Sequence, residues 1–387
     1  MKIILATGIF PPDIGGPATY VEKLAGELLQ RNFEVKVITF SGTKTGKSYD
    51  FPVIRISSKY PKGIKHFIYF LELLKTAKST DIIYAQNQTS AGFPSVLVSK
   101  LFRKRLILKV VGDAAWESYA NNFKEFDSID VFQQRKYDFL TELLKRIRVF
   151  VAKNAEVVIT PSKYLKNIVL GWGVTEGKIK VVYNALEQLS EPHISKEQIK
   201  KKIKIEGDII LSVGRLAPWK GFSALIDVFP ELLKKNPDFK LIIVGEGEEK
   251  KKLGLQIEKL RLKDNVKLVG KINHQDISLY FKAADVFVLN SQYEGLSHVI
   301  LEAMKSETPV IVSNKGGNPE LIKDNFNGFL IEYNNKKEIR EAIIRLWQDE
   351  NLQEKFTNKS LQKLTEFSWG NLAEQTIAIF KDTIKSS

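Results

Sequence analysis

The sequence alternates short apolar runs with glycine-rich turns and helices, and it does so twice. The run Lys2–Thr7 leads through a loop rich in glycine and proline into a helix predicted over 18–31, and a second run, Glu34–Phe40, follows. The same order begins again at Asp208–Val213. Short β-branched runs separated by helices are typical of parallel strands in an α/β sheet. The pattern therefore predicts an α/β protein with two Rossmann-like domains.

The length agrees with this division. A chain of 387 residues is too long for one ordinary domain and fits two domains of about 190 residues. We place an amino-terminal domain at residues 1–186 and a polar, irregular connection at 187–207. A carboxy-terminal domain follows at 208–370, and a last helix at 371–387 is expected to return to the first domain.

Composition excludes several classes of chemistry. The absence of cysteine excludes disulfides and thiol catalysis, and four histidines without a cluster at ligand spacing argue against a built-in metal site. The amino-terminal apolar run is too short for a signal peptide, and no run approaches the ~20 apolar residues of a spanning helix. These features predict a cytoplasmic protein.

The stretch Ser291–Glu302 carries the strongest indication of function. It follows an apolar run, Asp285–Leu289, that predicts a buried strand, and a helix is predicted from about Ser297. Ligands of α/β sheets bind at the carboxyl ends of strands, and a helix start favours phosphate. Glu294 in the loop and Glu302 in the helix can hold hydroxyl groups on either side of a diphosphate. Alternatively, Glu302 is an exposed helix residue and Glu294 an ordinary loop acid.

The spacing of these acids suggests a family. Seven residues separate Glu294 from Glu302, and this resembles the Glu-x7-Glu signature of family 4 glycosyltransferases, which have the GT-B fold. The family usually has Phe and Gly where this chain has Leu296 and Ser297, and both replacements keep an apolar or a small residue. The resemblance implies two Rossmann-like domains facing each other across a cleft, the first binding the acceptor and the second the nucleotide sugar.

A second motif agrees with the first. Residues 214–221 match the family pattern Gly-Arg-Leu-x-x-x-Lys-Gly at every specified position. Arg215 and Lys220 flank a loop at a strand's carboxyl end, where two cations can neutralise a diphosphate leaving group without a metal ion. Roles as exposed salt-bridge partners are the alternative.

The resemblance implies further site residues. Glu294 would orient the transferred sugar as a catalytic-site residue, and Glu302 would bind the ribose. The other donor-binding positions it implies belong to loops at strand ends: Gly15, Gly16, Gly245, Ile272, Gly295, Leu296 and Ser297. Gly112-Asp113 stands where many relatives have histidine and aspartate. Asp113 is therefore a catalytic-site candidate that contacts a sugar or the acceptor, or else it caps a turn.

The resemblance implies a retaining glycosyltransferase with a UDP- or GDP-linked donor and a glycan, lipid-linked or small-molecule acceptor. No cofactor or metal is expected. A nucleotide-sugar epimerase on the same fold is the nearest alternative. An NAD(P)-dependent oxidoreductase is disfavoured because the loop glycines do not spell Gly-x-Gly-x-x-Gly. A non-catalytic sugar- or lipid-binding protein is disfavoured because the two cations and the two acids are all present.

Charge is concentrated in the first half. Residues 1–190 contain 28 Lys and Arg against 17 Asp and Glu, a net charge of +11, whereas residues 191–387 have a net charge of +3. Residues 61–80 predict an amphipathic helix whose apolar face packs on the sheet: Ile64, Phe67, Ile68, Leu71 and Leu74. Basic residues mixed with Phe, Tyr and Leu occur there, at the end of the next helix and near 131–153: Lys62, Lys65, Lys75, Lys78, Arg103, Lys104, Arg105, Lys136, Lys145, Arg146, Arg148 and Lys153. They suggest peripheral contact with an anionic membrane at its inner face, or alternatively a solvated surface. No nucleic-acid partner is predicted.

Overall fold

The structure, a computed structural model, describes residues 1–13, 15–42, 47–122, 126–186 and 194–385. The chain forms two compact units. One comprises Met1–Tyr183 together with the segment from Gly370, and the other comprises Asn184–Trp369.

The first unit is built on a seven-stranded parallel sheet in the order β3-β2-β1-β4-β5-β6-β7. Its strands are β1 (Lys2–Ala6), β2 (Glu34–Ser41), β3 (Val53–Ser57), β4 (Ile82–Gln86), β5 (Arg105–Lys109), β6 (Val157–Thr160) and β7 (Ile179–Val181). Its helices up to residue 171 are α1 (Gly16–Gln30), α2 (Lys62–Ala77), α3 (Gly92–Phe102), α4 (Ala114–Asn122), α5 (Ile129–Gln134), α6 (Phe139–Asn154) and α7 (Lys163–Gly171). The strand order reverses at β1, which pairs with both β2 and β4.

The second unit repeats this plan with a six-stranded parallel sheet in the order β10-β9-β8-β11-β12-β13. Its strands are β8 (Asp208–Val213), β9 (Phe239–Val244), β10 (Val266–Gly270), β11 (Val286–Leu289), β12 (Val310–Ser313) and β13 (Phe329–Ile331). Its helices are α8 (Lys196–Lys202), α9 (Phe222–Asp227), α10 (Phe229–Leu233), α11 (Lys250–Lys259), α12 (His274–Ala283), α13 (His298–Lys305), α14 (Asn318–Leu321), α15 (Lys336–Gln348) and α16 (Glu350–Leu364). The order reverses at β8, so the carboxyl ends of β8 and β11 form the kind of switch point where such sheets bind ligands.

The connection predicted at 187–207 differs from the expectation of an irregular segment. Residues 187–193 lie outside the described residues, but α8 follows directly and belongs to the second unit. Ser195 and Gln198 form a reciprocal capping box at its start. Lys196 and Lys200 of α8 both pair with Asp285, at 2.6 and 3.1 Å. The polar composition thus reflects a capped surface helix.

The last helix, α17 (Trp369–Lys385), contributes to the core of the first unit. Its Phe380 is fully buried, and the ring centroid lies 5.1 Å from that of Tyr84 in β4. The exposed positions of α17 are mostly polar and carry both signs of charge, as Glu374, Lys381 and Asp382 illustrate. Among the described residues, no helix is long and apolar enough to cross a bilayer.

Helix α2 buries a different set of apolar residues from the set predicted. The face packed in the core carries Tyr69, Leu73 and Ala77, which are fully buried. Ile64 and Phe67, which were expected to pack on the sheet, are 52% and 61% exposed. The prediction that this apolar face is buried was wrong because a second set of apolar residues, four positions apart, fills the interface with the sheet.

A lysine is buried in the first unit. Lys109, the last residue of β5, is 1% exposed, and its ammonium has no hydrogen-bond partner among the described residues. Its Nζ lies 3.5 Å from the ring centroid of Tyr20 in α1. Burial lowers the pKa of Lys109 from 10.5 to about 7. Between about pH 7 and pH 10, therefore, the unfolded chain binds a proton here that the folded chain lacks, and this group makes stability rise with pH.

Replacing Lys109 with methionine removes this titration. We expect Lys109→Met to be more stable than the wild type at pH 7 by a few kcal/mol, with the gain fully present at lower pH. The gain should shrink as pH rises from about 7 towards 10.5, because the folded wild-type lysine is then neutral and the free-energy cost of giving up its proton falls as pH rises. Thermal unfolding across this pH range measures the difference, and parallel pH profiles for the two proteins would contradict it.

Candidate active site

The predicted site residues of the second unit lie mainly in four loops at one edge of its sheet. The loops follow β10, β9, β8 and β11, which are consecutive neighbours in the sheet. Because all strands are parallel, their carboxyl ends share this edge. The sheet thus brings together Lys220 and Glu294, which are 74 positions apart in the chain.

The loop after β8 is fixed against the loop after β11. The backbone N–H of Gln292 donates to the carbonyl of Trp219 at 2.7 Å, and the buried Asn290 side-chain amide donates to the carbonyl of Gly221 at 3.1 Å. Gly221 has φ +65°, and a Cβ there would lie 2.0 Å from the carbonyl oxygen of Asn290. These contacts determine where Lys220, which ends the 3-10 turn Pro218–Lys220, enters the site.

Lys220 and Glu294 form the central ion pair of this edge. Lys220 Nζ lies 2.6 Å from Glu294 Oε1, and both side chains are largely buried, at 15% and 12% exposure. An ammonium has three N–H donors, so one bond to Glu294 leaves others for phosphate oxygens. The carboxylate similarly keeps acceptor capacity for sugar hydroxyls. The structure thus brings together the cation of one motif and the first acid of the other.

The turn after β12 holds the backbone of Glu294. The N–H of Gly317 donates to the carbonyl of Glu294 at 2.8 Å. Gly316 has φ +62°, and a Cβ there would lie 2.3 Å from that same carbonyl oxygen. A Cβ on Gly317 would lie 2.4 Å from the carbonyl oxygen of Gly295. These contacts give the two glycines a role in positioning the loop that carries Glu294.

Gly317→Ala is therefore expected to displace the Glu294 loop. A shift of even 1 Å at a catalytic group can cost a large part of the rate. We expect kcat/KM for the donor to fall about tenfold or more. Gly254→Ala is the matched control, because this glycine of α11 has no neighbouring atom within 4 Å of an added Cβ. Equal kinetics in the two variants would show that the contact does not position Glu294.

Helix α13 begins beside this pair. Its N-cap residue is Ser297, whose side chain makes no capping hydrogen bond within the described structure. Leu296 and Ser297 are both buried. Glu302, in the second turn, is 6% exposed, so the alternative of an exposed helix residue is excluded. The amino end of α13 and its partial positive charge thus lie directly after the loop that carries Glu294.

Arg215 is more accessible than Lys220. Its side chain is 55% exposed, and its guanidinium pairs with Glu248 at 3.2 Å. A guanidinium carries five N–H donors in total, which is more than one carboxylate oxygen can accept. Arg215 and Lys220 belong to the same loop, but the structure assigns their charges to different carboxylates.

Gly245 and Ile272 lie further along the same edge. Gly245 has φ +147°, and a Cβ there would lie 1.9 Å from the carbonyl oxygen of Gly214. The close packing of the loops after β9 and β8 therefore accounts for a glycine at position 245. The contact of Gly245 with the donor stays a prediction. Ile272 is partly buried just after β10, the edge strand next to β9.

In the first unit, Gly15 and Gly16 form the start of α1. Gly15 is the N-cap residue, and its carbonyl accepts the N–H of Ala18 at 2.9 Å. Gly16 is exposed. The two glycines therefore occupy a helix start after β1, the strand at which the order of this sheet reverses. Their role at the donor diphosphate stays a prediction.

Asp113 is held inside the first unit by hydrogen bonds and an ion pair. Its carboxylate is fully buried, with Oδ1 accepting the N–H groups of Ala115 and Trp116 at 3.1 and 3.3 Å. Oδ2 accepts from Gln133 at 3.0 Å and pairs with the buried guanidinium of Arg148. The expected contact with a sugar or acceptor is therefore corrected. Asp113 caps α4 and anchors α6, which is the alternative role that the sequence left open.

Arg148 itself also departs from the prediction. It was grouped with the basic residues of a membrane-facing surface, but its side chain is 3% exposed. Its guanidinium also donates to Gln133 at 2.9 Å and stacks 4.8 Å from the ring centroid of Trp172. Burial lowers the pKa of Arg148 to about 9, so it stays charged at neutral pH. The sequence alone did not reveal that the carboxylate of Asp113 is the partner of Arg148.

The described histidines and acidic residues form no group of three or more that could hold a metal ion.

Comparison with known families agrees with this geometry. Residues 14–187 match Glycosyltransferase Family 4, and residues 195–363 match Glycosyl transferases group 1. The two matches together cover most of both units. The chain is a family 4 glycosyltransferase. Its fold is GT-B, with two Rossmann-like parallel sheets.

This glycosyltransferase has relatives along its whole length. It is 27% identical to an uncharacterized glycosyltransferase of Methanocaldococcus jannaschii, over 98% of each chain. It is 26% identical to the alpha-monoglucosyldiacylglycerol synthase of Streptococcus pneumoniae, over 100% of this chain and 87% of that protein. The crystal structure of Anabaena Alr3699/HepE in complex with UDP-glucose superposes with a TM-score of 0.78 at 22% identity, over 99% and 100% of the chains. Family membership also decides against the epimerase alternative.

Proposed function

We propose that this glycosyltransferase moves a sugar from a nucleoside diphosphate donor, with retention of the anomeric configuration, to a glycan or lipid-linked acceptor. The observation that carries the proposal is the pair of Lys220 and Glu294, 2.6 Å apart, just before the amino end of α13. A cation, an acid and a helix start together suit a sugar attached to a diphosphate. Among UDP and GDP donors, the complex of the similarly folded Anabaena protein with UDP-glucose favours UDP.

In the proposed reaction, the bond from the sugar C1 to the diphosphate oxygen breaks, and its electron pair stays on the departing phosphate. Lys220, Arg215 and the backbone amides around Gly295, Leu296 and Ser297 stabilise that charge. The acceptor hydroxyl oxygen then bonds to C1 from the same face. Its proton passes to an oxygen of the leaving phosphate, so no separate base is required.

The remaining residues bind the donor in this proposal. Glu294 holds hydroxyl groups of the transferred sugar, while Glu302 binds the ribose. Gly15 and Gly16 approach the diphosphate without a Cβ, and Ile272 contacts the base. A metal ion is not required, because Arg215, Lys220 and the start of α13 supply positive charge themselves.

For the acceptor, we propose a lipid-linked or glycan molecule presented at the inner face of the cell membrane. The name of the Streptococcus pneumoniae relative, alpha-monoglucosyldiacylglycerol synthase, supports a lipid acceptor. The protein would then work in the cytoplasm, in peripheral contact with the membrane.

A donor panel tests the proposal. Purified protein is incubated with UDP-, GDP- and ADP-sugars, and released nucleotide is measured with and without diacylglycerol or oligosaccharide acceptors. We expect one UDP-sugar to give acceptor-dependent release of UDP and a product with the donor's anomeric configuration by NMR. Inversion of that configuration would contradict the retaining mechanism, and release from GDP-sugars alone would contradict the choice of base.

A further inference from the structure

Three helices of the first unit expose apolar side chains on the face that points away from the sheet. On α2 these are Ile64, Phe67 and Leu71, which are spaced three and four residues apart and so form one stripe. On α3, the exposed positions are Phe93, Leu97, Lys100 and Leu101. In both helices a separate set of residues faces the core, so these stripes are not needed to hold the unit together.

Helix α6 continues the pattern. Its exposed positions are Phe139, Leu140, Leu143, Arg146, Phe150 and Lys153, and Phe139 is 84% exposed. An exposed aromatic ring of this kind has an unfavourable hydration free energy that burial elsewhere would remove. A single exposed apolar residue needs no explanation, but a repeated stripe does.

The three stripes lie on consecutive neighbouring helices, and we call them together the outer apolar face. Helix α2 lies beside α3, and α3 lies beside α6. The ring centroids of Phe93 and Phe150 are 6.1 Å apart, and Lys100 Nζ lies 5.2 Å from the Phe150 ring centroid, so α3 and α6 meet at their exposed side chains. Monomeric soluble proteins rarely expose large contiguous apolar patches without an interaction to match.

The charge of the outer apolar face is entirely basic at its exposed positions. Among the described residues of α2, α3 and α6, exposed charged side chains are lysine or arginine: Lys75, Lys100, Arg146 and Lys153. The two acids of these helices, Glu72 and Glu142, are less exposed and pair with lysines at 2.8 and 3.0 Å. Helix α17 of the same unit instead exposes polar residues of both signs.

We propose that the outer apolar face seats the first unit on an anionic lipid bilayer. Phe and Leu tips enter the boundary between headgroups and acyl chains, and the cations lie at the height of the lipid phosphates. A second copy of this chain fits the face less well, because two basic faces without exposed acids would repel each other. The proposal rests on the proposed function for its biological sense, since a lipid-linked acceptor lies at such a surface, but bilayer binding itself is independent of catalysis.

Vesicle sedimentation tests the proposal. The wild type is expected to bind vesicles of phosphatidylcholine mixed with phosphatidylglycerol, and to bind vesicles of phosphatidylcholine alone more weakly. The triple variant Phe67→Ser, Leu101→Ser, Phe139→Ser should lower the partition coefficient on the mixed vesicles at least about tenfold. These side chains are 61%, 65% and 84% exposed, so the variant should fold normally, which its thermal unfolding verifies.

The matched control carries the same change in the second unit. Leu255→Ser and Phe326→Ser, at 58% and 41% exposure, should leave vesicle binding unchanged. Equal binding of wild type and triple variant would overturn the proposal, as would a wild type that binds no anionic vesicles. A lipid-free wild-type dimer that the triple variant dissociates would assign the face to a second copy instead. If vesicle binding behaves as expected but no nucleotide sugar is consumed, the proposed function fails while this inference stands.

Discussion

Lys220→Ala is expected to lower kcat for sugar transfer by about 100-fold or more, the scale of losing a charged contact to the transition state. Lys220 Nζ lies 2.6 Å from Glu294 at the loop before α13, where negative charge develops on the departing diphosphate in the proposed reaction. Removing this ammonium leaves that charge less stabilised and also frees the carboxylate of Glu294. The rate is measured with saturating donor and acceptor, below the midpoint of thermal unfolding.

The control for this prediction is Lys240→Ala. Lys240 belongs to the same unit but lies near the amino end of β9, at the opposite edge of the sheet, and donates to the carbonyl of Asp264 at 3.1 Å. The same change of charge there should leave kcat nearly unaltered. Arg215→Ala should lower kcat in the same direction as Lys220→Ala. Near-normal turnover in both site variants would remove these cations from the mechanism.

Asp113→Ala is expected to lower the free energy of unfolding by about 3–5 kcal/mol. The substitution leaves the guanidinium of Arg148 buried without its carboxylate and removes the cap of α4. Desolvation of an unpaired charge dominates the loss, because both side chains are almost completely buried. Chemical denaturation measures the change.

A double variant separates the ion pair from other effects. Asp113→Ala with Arg148→Met should be more stable than Asp113→Ala alone, since it removes the unpaired charge as well. Turnover of Asp113→Ala at a temperature where it is folded should stay close to that of the wild type. If Asp113→Ala kept its stability but lost most of its turnover, Asp113 would be a catalytic-site residue after all.

Local spacing made much of the second unit predictable. The Glu-x7-Glu spacing identified Glu294, and the Gly-Arg-Leu motif identified Lys220, but their separation of 2.6 Å depends on the parallel pairing of β8 and β11.

Features decided by distant partners were not predictable from the sequence. Arg148 reads as one more basic residue of a helix, and its carboxylate partner lies 35 positions away. In α2, the periodicity of Ile64, Phe67 and Leu71 predicts a buried face equally well as an exposed one. The sheet instead packs against the stripe that contains Tyr69 and Leu73, because apolar residues occur on both sides of this helix.

The most direct test of the donor site is a crystal structure of the protein with UDP, supported by a UDP titration of Lys220→Ala. We predict that the diphosphate contacts Lys220 Nζ and the backbone amides at the start of α13, with the ribose at Glu302, and that the variant binds UDP more weakly. A nucleotide bound elsewhere on the chain, or UDP affinity unchanged by the loss of Lys220, would contradict the account.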